Sequence, residues 1–346
     1  MSGGAERVVC RLADYYADLG YEVVIASLKP HFDILPSNSK INVIDLAMEK
    51  KTPFHLLRAI LKARTLIRTF KPDIVHSHMY HANIFARVMN IVFPSERLIC
   101  SAHSNIEGGF LCDILYRVTD HIPSISTNVS QAACNSFFMR KASSPSRMIA
   151  VPNGINISRY SGRYSPHRDP CRILAVGRLV PEKNFDLLFR AVANILPSLQ
   201  LDIEIWLAGD GPERAKLEKL VDDLSLGEKV TFFGDYDVPE KLMSSVTLFV
   251  STSNYEGFGL AVAEAMAAGI PVIATDSGGV SEVMGETGCL ISVGDVSSLG
   301  GKIVSYLACS DDELSYFGSL GAKRVSENFS EGAWFEKWTS IYKGGL

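Results

Sequence analysis

The stretch "NYEGFGLAVAEAMAAGIPVIAT", Asn254 to Thr275, contains a turn, a helix and a strand in that order. The apolar run "VTLFVST" before it predicts a buried strand, and Gly257 and Gly259 permit a tight turn after that strand. A helix is predicted to follow and to end at Gly269, with Pro271 opening the next strand. Two strands joined through a helix run parallel, so this stretch predicts a βαβ unit.

The same alternation of short apolar runs and longer amphipathic segments extends along the whole chain, which predicts parallel sheets with helices on both faces. We place strands at about residues 22–27, 41–45, 73–76, 97–101, 124–127 and 148–151, and at 172–176, 202–208, 229–233, 246–251, 271–274 and 289–291. At 346 residues the chain is long enough for two domains. The segment 156–170 between the two groups has no periodicity and predicts a linker. The predicted fold class is therefore α/β with two Rossmann-like domains.

Composition and charge exclude several classes of protein. With 47% hydrophobic residues and a net charge of -4, neither a disordered protein nor a nucleic-acid partner is expected. Seven scattered cysteines without CxxC spacing argue against a disulfide framework or a zinc site, and they favour a reducing compartment. Glu264 interrupts the most apolar stretch, and no basic, apolar leader opens the chain. We therefore expect a cytoplasmic protein without a spanning helix.

The chain opens unusually, with a glycine turn at Gly3 and Gly4 followed by helical spacing of apolar residues. A turn of this kind normally follows a strand, and only Met1 and Ser2 precede it in this sequence, which are too few to form one. We therefore expect the first strand of the N-terminal domain to be missing, which leaves a central gap in a doubly wound sheet. An upstream start, a fragment and an impaired domain are the three explanations.

Two glutamates lie at the end of the sheet where ligands bind. Glu256 follows a strand, and Glu264 lies about one turn into the next helix. In open α/β sheets ligands bind at the carboxyl ends of strands, where the free amides of a glycine turn bind anions such as phosphate. Carboxylates beside such a turn suit sugar and ribose hydroxyls, which donate to charged acceptors. In the alternative interpretation, Glu256 is only a charge at the start of the helix and Glu264 is only an exposed helix residue.

Two cations follow another strand, in "AVGRLVPEKNFDLL". Arg178 and Lys183 lie on one loop at the carboxyl end of the strand 172–176. A guanidinium fork and an ammonium on one loop suit a diphosphate. A solvated turn with a surface pair of Glu182 and Lys183 remains the alternative.

Several pieces of the chain together resemble a known family. "SGGAERV", "DIVHSH", "AHS", "VPNGI", "VGRLVPEKN", "AGDGPER" and "EGFGLAVAEAMAAGIPVIAT" occur in the order seen in family 4 retaining glycosyltransferases of the GT-B fold. The resemblance covers nearly the whole chain, and the last piece contains the E-x7-E signature of that family. It implies an N-terminal acceptor-side domain, 1–156, facing a C-terminal nucleotide-sugar-binding domain, 157–329, across a cleft. The helix in 330–346 is implied to pack back toward the N-terminal domain.

The resemblance also implies roles for the glutamates and the turn between them. Glu256 matches the residue that contacts donor-sugar hydroxyls, and Glu264 matches the residue that binds the ribose of the nucleotide. The residues whose amides are implied to meet the sugar and phosphate are Gly257, Phe258, Gly259 and Leu260.

Five further residues match functional positions of the family. Arg178 and Lys183 match the pair that neutralises the diphosphate leaving group. Gly3 and Gly4 match a turn that approaches the phosphate and the acceptor. His103, in "SAHSN", matches a histidine that faces the donor sugar.

The chemistry that the resemblance implies is stabilisation of a leaving group. Fixed cations and helix-terminal amides stabilise the charge that builds on the β-phosphate as the diphosphate departs. We therefore expect no metal and no cofactor. The family transfers with retention, and Glu256 is expected to orient the sugar without forming a covalent intermediate.

Other patterns give competing interpretations. Asp235-x-Asp237 is a pattern that marks manganese sites in the other major glycosyltransferase fold, and it keeps a metal site open as an alternative. "GDGPER" lacks the third glycine of a dinucleotide fingerprint, which weakens the alternative of a nicotinamide dehydrogenase. His76 and His78 are predicted to be packed or acceptor-side residues.

A basic amphipathic helix is predicted over 54–71. Its large apolar residues keep helical spacing. Five cations lie between them, and the segment contains no acidic residue. This pattern is typical of a helix on a membrane surface, at the inner face of the plasma membrane in this case. A helix that packs on the sheet and exposes an ordinary basic face is the alternative.

The sequence therefore predicts transfer of a hexosyl or N-acetylhexosaminyl group from a nucleotide sugar, UDP-linked in our expectation. The predicted acceptor is a lipid-linked intermediate of a surface polysaccharide such as O-antigen, capsule or exopolysaccharide. An N-terminally truncated, non-catalytic nucleotide-sugar-binding protein is the alternative function.

Overall fold

The computed structural model describes residues 4–29, 34–50, 52–160, 164–235 and 239–345. The chain divides into two compact units. Residues 2–152 and 335–346 form the N-terminal unit, and residues 153–334 form the C-terminal unit.

The N-terminal unit alternates helices and strands. Its elements are α1 (Gly4–Asp18), β1 (Val24–Ser27), β2 (Asn42–Asp45), α2 (Pro53–Phe70), β3 (Ile74–His78), α3 (Tyr80–Val92), β4 (Arg97–Ser101), α4 (Phe110–Val118), β5 (Ile125–Asn128), α5 (Gln131–Met139) and β6 (Met148–Ala150). All six strands that the sequence predicts in this half are present.

These six strands lie in two separate parallel sheets. β3, β4, β5 and β6 are paired in chain order, whereas β1 pairs only with β2 among the described strands. In a doubly wound sheet the first strand would lie between β1 and β3, which are not paired with each other here. The absence of that strand from the sequence stays a prediction.

The C-terminal unit carries the second group of elements. They are β7 (Cys171–Val176), α6 (Phe185–Ile195), β8 (Ile203–Ala208), α7 (Arg214–Asp223), β9 (Val230–Gly234), α8 (Pro239–Met243), β10 (Leu248–Ser251), α9 (Leu260–Ala267), β11 (Val272–Thr275), α10 (Gly279–Met284), β12 (Cys289–Ile291), α11 (Val296–Leu307) and α12 (Asp311–Asn328). The last helix, α13 (Glu331–Tyr342), begins in this unit, and its residues from Phe335 onward belong to the N-terminal unit.

The six strands of the C-terminal unit form one parallel sheet with the order β12-β11-β10-β7-β8-β9. Because β8 and β9 extend it on one side of β7 and β10 to β12 on the other, the order reverses between β7 and β10. Ile173 and Ile205 of the sheet and Leu188 of α6 are fully buried in its core. This point of reversal is where open α/β sheets bind ligands.

Candidate functional site

A close ion pair lies at the reversal point of the C-terminal sheet. Lys183 follows β7, Glu256 follows β10, and the Lys183 Nζ donates to the Glu256 Oε1. The Ser253 Oγ donates to the same carboxylate oxygen at 2.9 Å. The two charged side chains are 24% and 17% exposed, so solvent still reaches both of them. The structure therefore joins the residue predicted to bind the diphosphate to the residue predicted to bind the sugar.

Hydrogen bonds fix the two loops that carry this pair. The Asn254 amide donates to the Glu182 carbonyl at 2.7 Å, and the Thr252 hydroxyl donates to the Lys183 carbonyl at 2.9 Å. The Asn184 side chain adds a third link, donating to the Asn254 side chain at 3.1 Å. Because backbone groups make most of these contacts, the pair is held in place before any ligand binds.

Close packing of backbones explains the glycines of the turn. A Cβ atom added at Gly279 would overlap with the Gly257 carbonyl, so the loop after β11 lies directly against the turn. Glu256 links the same two segments, since its amide donates to the Ser277 carbonyl at 2.8 Å and its carbonyl accepts from the Gly279 amide at 3.1 Å. Gly259 precedes α9 with φ at +94°, in the left-handed region that favours glycine.

The predicted residues around the start of α9 differ in what their side chains do. Phe258 is buried and packs edge-on against Phe329 with ring centroids 5.5 Å apart, so its side chain anchors the turn. Gly257 and Leu260 are partly exposed. Glu264 lies in the second turn of α9 and is also partly exposed.

Arg178 is exposed on the loop that also carries Lys183. A Cβ atom at Gly177 would lie 3.3 Å from the Lys183 Cε, so glycine leaves room for that side chain. A Cβ atom at Gly211 would overlap with the Leu179 carbonyl, which sets the "GDGPER" turn directly against the Arg178 loop. "GDGPER" therefore joins β8 to α7 and supports the loop of cations.

Sequence reasoning missed Ser277, which follows β11. Its carbonyl accepts the Glu256 amide, while its buried hydroxyl has no hydrogen-bond partner within the described residues. Buried polar atoms are nearly always hydrogen-bonded, so an unpaired hydroxyl beside this turn is a group available to a ligand. The Gly278-Gly279 pair that follows it was the signal that could have drawn attention to this loop.

A second cluster of predicted residues lies in the N-terminal unit. The His103 Nε2 and the His78 Nδ1 are 3.0 Å apart. The Nδ1 of His76 is 2.7 Å from the Tyr342 hydroxyl, and its Nε2 is 2.7 Å from the Ser101 hydroxyl. His76 and His78 therefore belong to one packed polar group with His103, as the sequence led us to expect of packed residues.

Burial keeps these imidazoles neutral at physiological pH. It lowers the pKa of His103 to about 4 and that of His76 to about 3, the latter helped by nearby His103. The pKa of His78 is also well below its ordinary value, because of burial first and of the two other histidines second. In the neutral state one ring of the His78 and His103 pair donates and the other accepts.

Glu107 is a second residue that sequence reasoning missed. Its carboxylate accepts from the His103 amide at 2.9 Å and from the Tyr116 hydroxyl at 2.5 Å. Burial raises the pKa of this carboxyl group, although both hydrogen bonds lower it. Glu107 therefore fixes the loop on which His103 lies. It sits four residues after His103, and no motif marks it.

The remaining predicted residues are only partly described. Gly4 is the first residue of α1 and is exposed. Gly3 and Asp237 lie outside the described residues, so neither the whole first turn nor the Asp235-x-Asp237 alternative is tested. Among the residues that the structure describes, no group of three or more His, Cys, Asp or Glu side chains is placed to hold a metal ion. No described helix is both long and apolar enough to cross a membrane.

Comparison with known proteins covers both units. The family model "Glycosyltransferase Family 4" matches residues 2–159, and the model "Glycosyl transferases group 1" matches residues 161–324. A lipopolysaccharide core biosynthesis glycosyltransferase of Rhizobium meliloti is 26% identical over 309 residues, which are 88% of this chain and 86% of that protein.

Another relative and a solved structure match over nearly their full length. The N-acetylgalactosamine-N,N'-diacetylbacillosaminyl-diphospho-undecaprenol 4-alpha-N-acetylgalactosaminyltransferase of Campylobacter jejuni is 27% identical over 95% of this chain and 93% of its own. The structure of Anabaena HepE in complex with UDP-glucose has the same fold, with a TM-score of 0.85, 19% identity and coverage of 99% of this chain and 97% of HepE. This chain belongs to the family 4 glycosyltransferases of the GT-B fold.

Proposed function

We propose that this glycosyltransferase moves a hexosyl or N-acetylhexosaminyl group, with retention and without a metal, from a UDP-sugar to a lipid-linked intermediate of a surface polysaccharide. The observation that carries the donor assignment is the pair of Lys183 and Glu256 on the two loops at the reversal point of the C-terminal sheet. Those loops lie beside the glycine turn that opens α9. A cation, a carboxylate and the backbone amides at the start of α9 together match the phosphates and hydroxyls of a nucleotide sugar.

The ion pair is expected to separate when the donor binds. The diphosphate competes with Glu256 for the Lys183 ammonium, and Arg178 on the same loop adds a second positive charge. The released Glu256 carboxylate can then accept from sugar hydroxyls, while Ser253 keeps it oriented. As the leaving group departs, the two cations and the amides of Gly257 to Leu260 stabilise the charge that develops on it. Glu264 binds the ribose, and His103 and Gly4 keep the roles that the resemblance implies.

Relatives support the finer parts of this proposal. HepE binds UDP-glucose in its structure, which favours UDP as the nucleotide. The Campylobacter jejuni relative is named for a diphospho-undecaprenol acceptor and the Rhizobium meliloti relative for the lipopolysaccharide core. A lipid-linked glycan of the bacterial surface is therefore the acceptor class that we propose.

Peripheral contact with the inner face of the plasma membrane belongs to the same proposal, with α2 as its predicted element. Ala59 and Ala63 are the buried residues of α2, which the structure describes completely. Phe54, Leu57 and Leu61 are instead 70%, 56% and 49% exposed, although they are large and apolar. An amphipathic helix that packed all of its apolar residues on the sheet would not expose these three. The exposure favours the membrane interpretation of residues 54–71.

Removing the ribose-binding carboxylate tests the donor site. We expect Glu264→Ala to weaken UDP binding by ~1.5 to 3 kcal/mol, because the hydrogen bond that it removes is to a charged group. Calorimetric titration with UDP measures the loss, and Glu286→Ala, at an exposed position of the same unit, is the matched control. Equal UDP affinity in the Glu264→Ala variant and the parent protein would remove the assignment of Glu264.

Two product measurements test the finer chemistry. The anomeric configuration of the transferred sugar, followed by NMR, should match that of the donor if transfer is retaining. Transfer should also persist in excess EDTA, since Arg178, Lys183 and the α9 amides take the place of a metal. An inverted product or loss of activity in EDTA would reject the corresponding part of the proposal.

A further inference from the structure

Met79, directly after β3, has a backbone conformation that residues other than glycine rarely adopt. Its φ is +70° and its ψ is 158°. This region of backbone space belongs almost entirely to glycine, because a Cβ atom there comes too close to neighbouring backbone atoms. Residues held in such a conformation cluster at active sites and ligand-binding sites, where the surrounding structure fixes them. The strain at Met79 therefore points to a functional role for its side chain.

Hydrogen bonds on both sides fix the Met79 backbone. Its amide donates to the Ser101 carbonyl of β4 at 2.9 Å, and its carbonyl accepts from the Asn83 amide of α3 at 2.9 Å. The Asn83 side chain is fully buried, and it donates to the same Ser101 carbonyl at 2.9 Å and to the Tyr116 hydroxyl at 3.0 Å. Its Oδ1 accepts from the Ser77 hydroxyl at 2.8 Å, so both polar atoms of this side chain are paired. The strained conformation is therefore maintained by β3, β4 and α3 together.

The same network continues to the loop that carries His103. The Tyr116 hydroxyl donates to the Glu107 carboxylate at 2.5 Å. That carboxylate accepts from the His103 amide through its other oxygen at 2.9 Å. The position of Met79 and the position of the His103 loop are therefore fixed relative to each other through buried hydrogen bonds.

Met79 and this loop line the same pocket of the N-terminal unit. The pocket has a volume of about 880 Å³, which is in the usual range for the site of a small ligand. Its polar lining residues include His103, Ser104 and Glu107, and its apolar lining residues include Met79 and Ile106. Met79 is 42% exposed. The strained backbone therefore presents a large apolar side chain to a pocket that also offers hydrogen-bonding groups.

A sugar that carries a methyl group matches this combination. Its hydroxyls can pair with the carboxylate, the hydroxyl and the imidazole of the lining, whereas its methyl group gains free energy only from an apolar neighbour. Acetamido sugars and deoxy sugars both carry such a methyl group, and an unbranched thioether can adapt to either of them.

We infer that the pocket binds a methyl-bearing sugar and that Met79 is the residue that selects this sugar, by contact with its methyl group. The strain then has a purpose, because glycine at this position would relieve it but would offer the sugar no side chain. That the bound sugar is the acceptor of the transferred group rests on the proposed function, whereas its binding to the pocket does not.

Methyl signals of methionine test the contact directly. We would label the methionine methyl groups of the whole chain with ¹³C and titrate it with two pairs of sugars, N-acetylglucosamine with glucose and D-fucose with galactose. The Met79 signal, assigned with Met79→Leu, should shift with one or both of the methyl-bearing sugars, which also tells an acetamido from a deoxy ligand. That sugar should bind ~fourfold more tightly than its partner, the factor that burial of one methyl group gives. Met139 is 80% exposed in the same unit and does not line the pocket, so its signal should stay in place.

Replacement of Met79 tests the selection. Met79→Gly should lose the ~fourfold preference, as measured by dissociation constants from the His103 ring signals, whereas Met79→Leu should keep it. Because glycine relieves the strain, the urea midpoint of Met79→Gly should be no lower than that of the parent protein. Lys141→Gly is the matched control, since Lys141 also has a positive φ, +57°, in the same unit but lies outside the pocket lining. It should keep both the urea midpoint and the preference.

Three results would overturn the inference. They are a Met79 signal that none of the four sugars shifts, an unchanged preference in Met79→Gly, and a lower urea midpoint of Met79→Gly, which would make the side chain a structural one. UDP titration of the same samples keeps the two proposals apart. UDP binding without a Met79 shift rejects the sugar pocket alone, and a Met79 shift without UDP binding rejects the donor site alone.

Discussion

The C-terminal unit carries its six strands in one continuous sheet, whereas the N-terminal unit carries its six described strands in two sheets. One large cluster of buried side chains, including Leu188 and Phe189, lies in the C-terminal unit. A fully paired sheet with a large core gives rigid strand ends, on which a preorganised donor site can be built.

The N-terminal unit uses its apolar residues differently. Large apolar side chains of α2, α3 and α4 face outward, and the polar cluster of His76, His78 and His103 lies inside. Under the proposed function, a small, charged donor is recognised by the loops of the C-terminal unit, and the acceptor by the N-terminal unit. The following predictions test this contrast, from the largest expected effect to the smallest.

The largest effect is expected from a core substitution in the C-terminal unit. Leu188→Ala should lower the free energy of unfolding of that unit by ~2 to 5 kcal/mol, since it leaves a cavity in a closely packed core. Leu111→Ala in the N-terminal unit should change it by less than about 0.5 kcal/mol, because Leu111 is 74% exposed. Amide exchange of β7 and β8 as a function of urea measures the first variant, and exchange of β4 and β5 measures the second. Equal losses in both would show that the Leu111 side chain is packed in solution.

Removing the ammonium at the reversal point should abolish most of the catalysis. Lys183→Ala is expected to lower kcat by ~100-fold to 1,000-fold, because it removes a fixed donor to the charge that develops on the leaving group. Lys323→Ala, which removes an exposed lysine of α12, is the matched control and should leave kcat unchanged. An assay of sugar transfer from the UDP-sugar to the lipid-linked acceptor measures kcat for both variants. If Lys183→Ala raised KM with kcat unchanged, Lys183 would bind the ground state and transition state equally.

The smallest effect is expected on the stability of the N-terminal unit when the pH is lowered. In the unfolded chain the histidines have an ordinary pKa of 6.5, whereas in the folded protein His103 has a pKa of about 4 and His76 of about 3. As pH falls below 6.5 the unfolded state takes up protons that the folded state does not, so stability decreases with falling pH, by on the order of 1 kcal/mol for each histidine at pH 5.5. Amide exchange at pH 7.5 and 5.5 should show this loss in the N-terminal unit. His76→Asn should weaken this pH dependence. A loss of stability confined to the C-terminal unit would contradict the prediction.

The sequence predicted the strands well for a physical reason. Buried parallel strands need continuous Val and Ile runs, and all twelve runs that we identified are strands in the structure. The pairing of Lys183 with Glu256 was not predicted, but its neighbourhood was, since both follow strands that meet at the reversal of strand order. Position along the chain and strand topology were therefore enough to predict that the loops of Lys183 and Glu256 lie near each other.

Other features could not be read from the sequence. Helical spacing of apolar residues marks one face of a helix, but it does not say whether another element covers that face, as Ile91 and Leu111 show. Glu107 and Ser277 lie in loops whose partners are distant in the chain or carry no motif, so only coordinates reveal their contacts. Tertiary packing decides both kinds of feature.

Calorimetric titration of the whole chain with a panel of nucleoside diphosphates, in the presence and absence of EDTA, tests the central claim most directly. We predict that one nucleotide, UDP, binds with equal affinity in both conditions, and that Lys183→Ala weakens this binding while Lys323→Ala does not. Absence of binding by every nucleotide, or binding that EDTA abolishes or that Lys183→Ala leaves unchanged, would contradict a donor site built on Lys183 and Glu256.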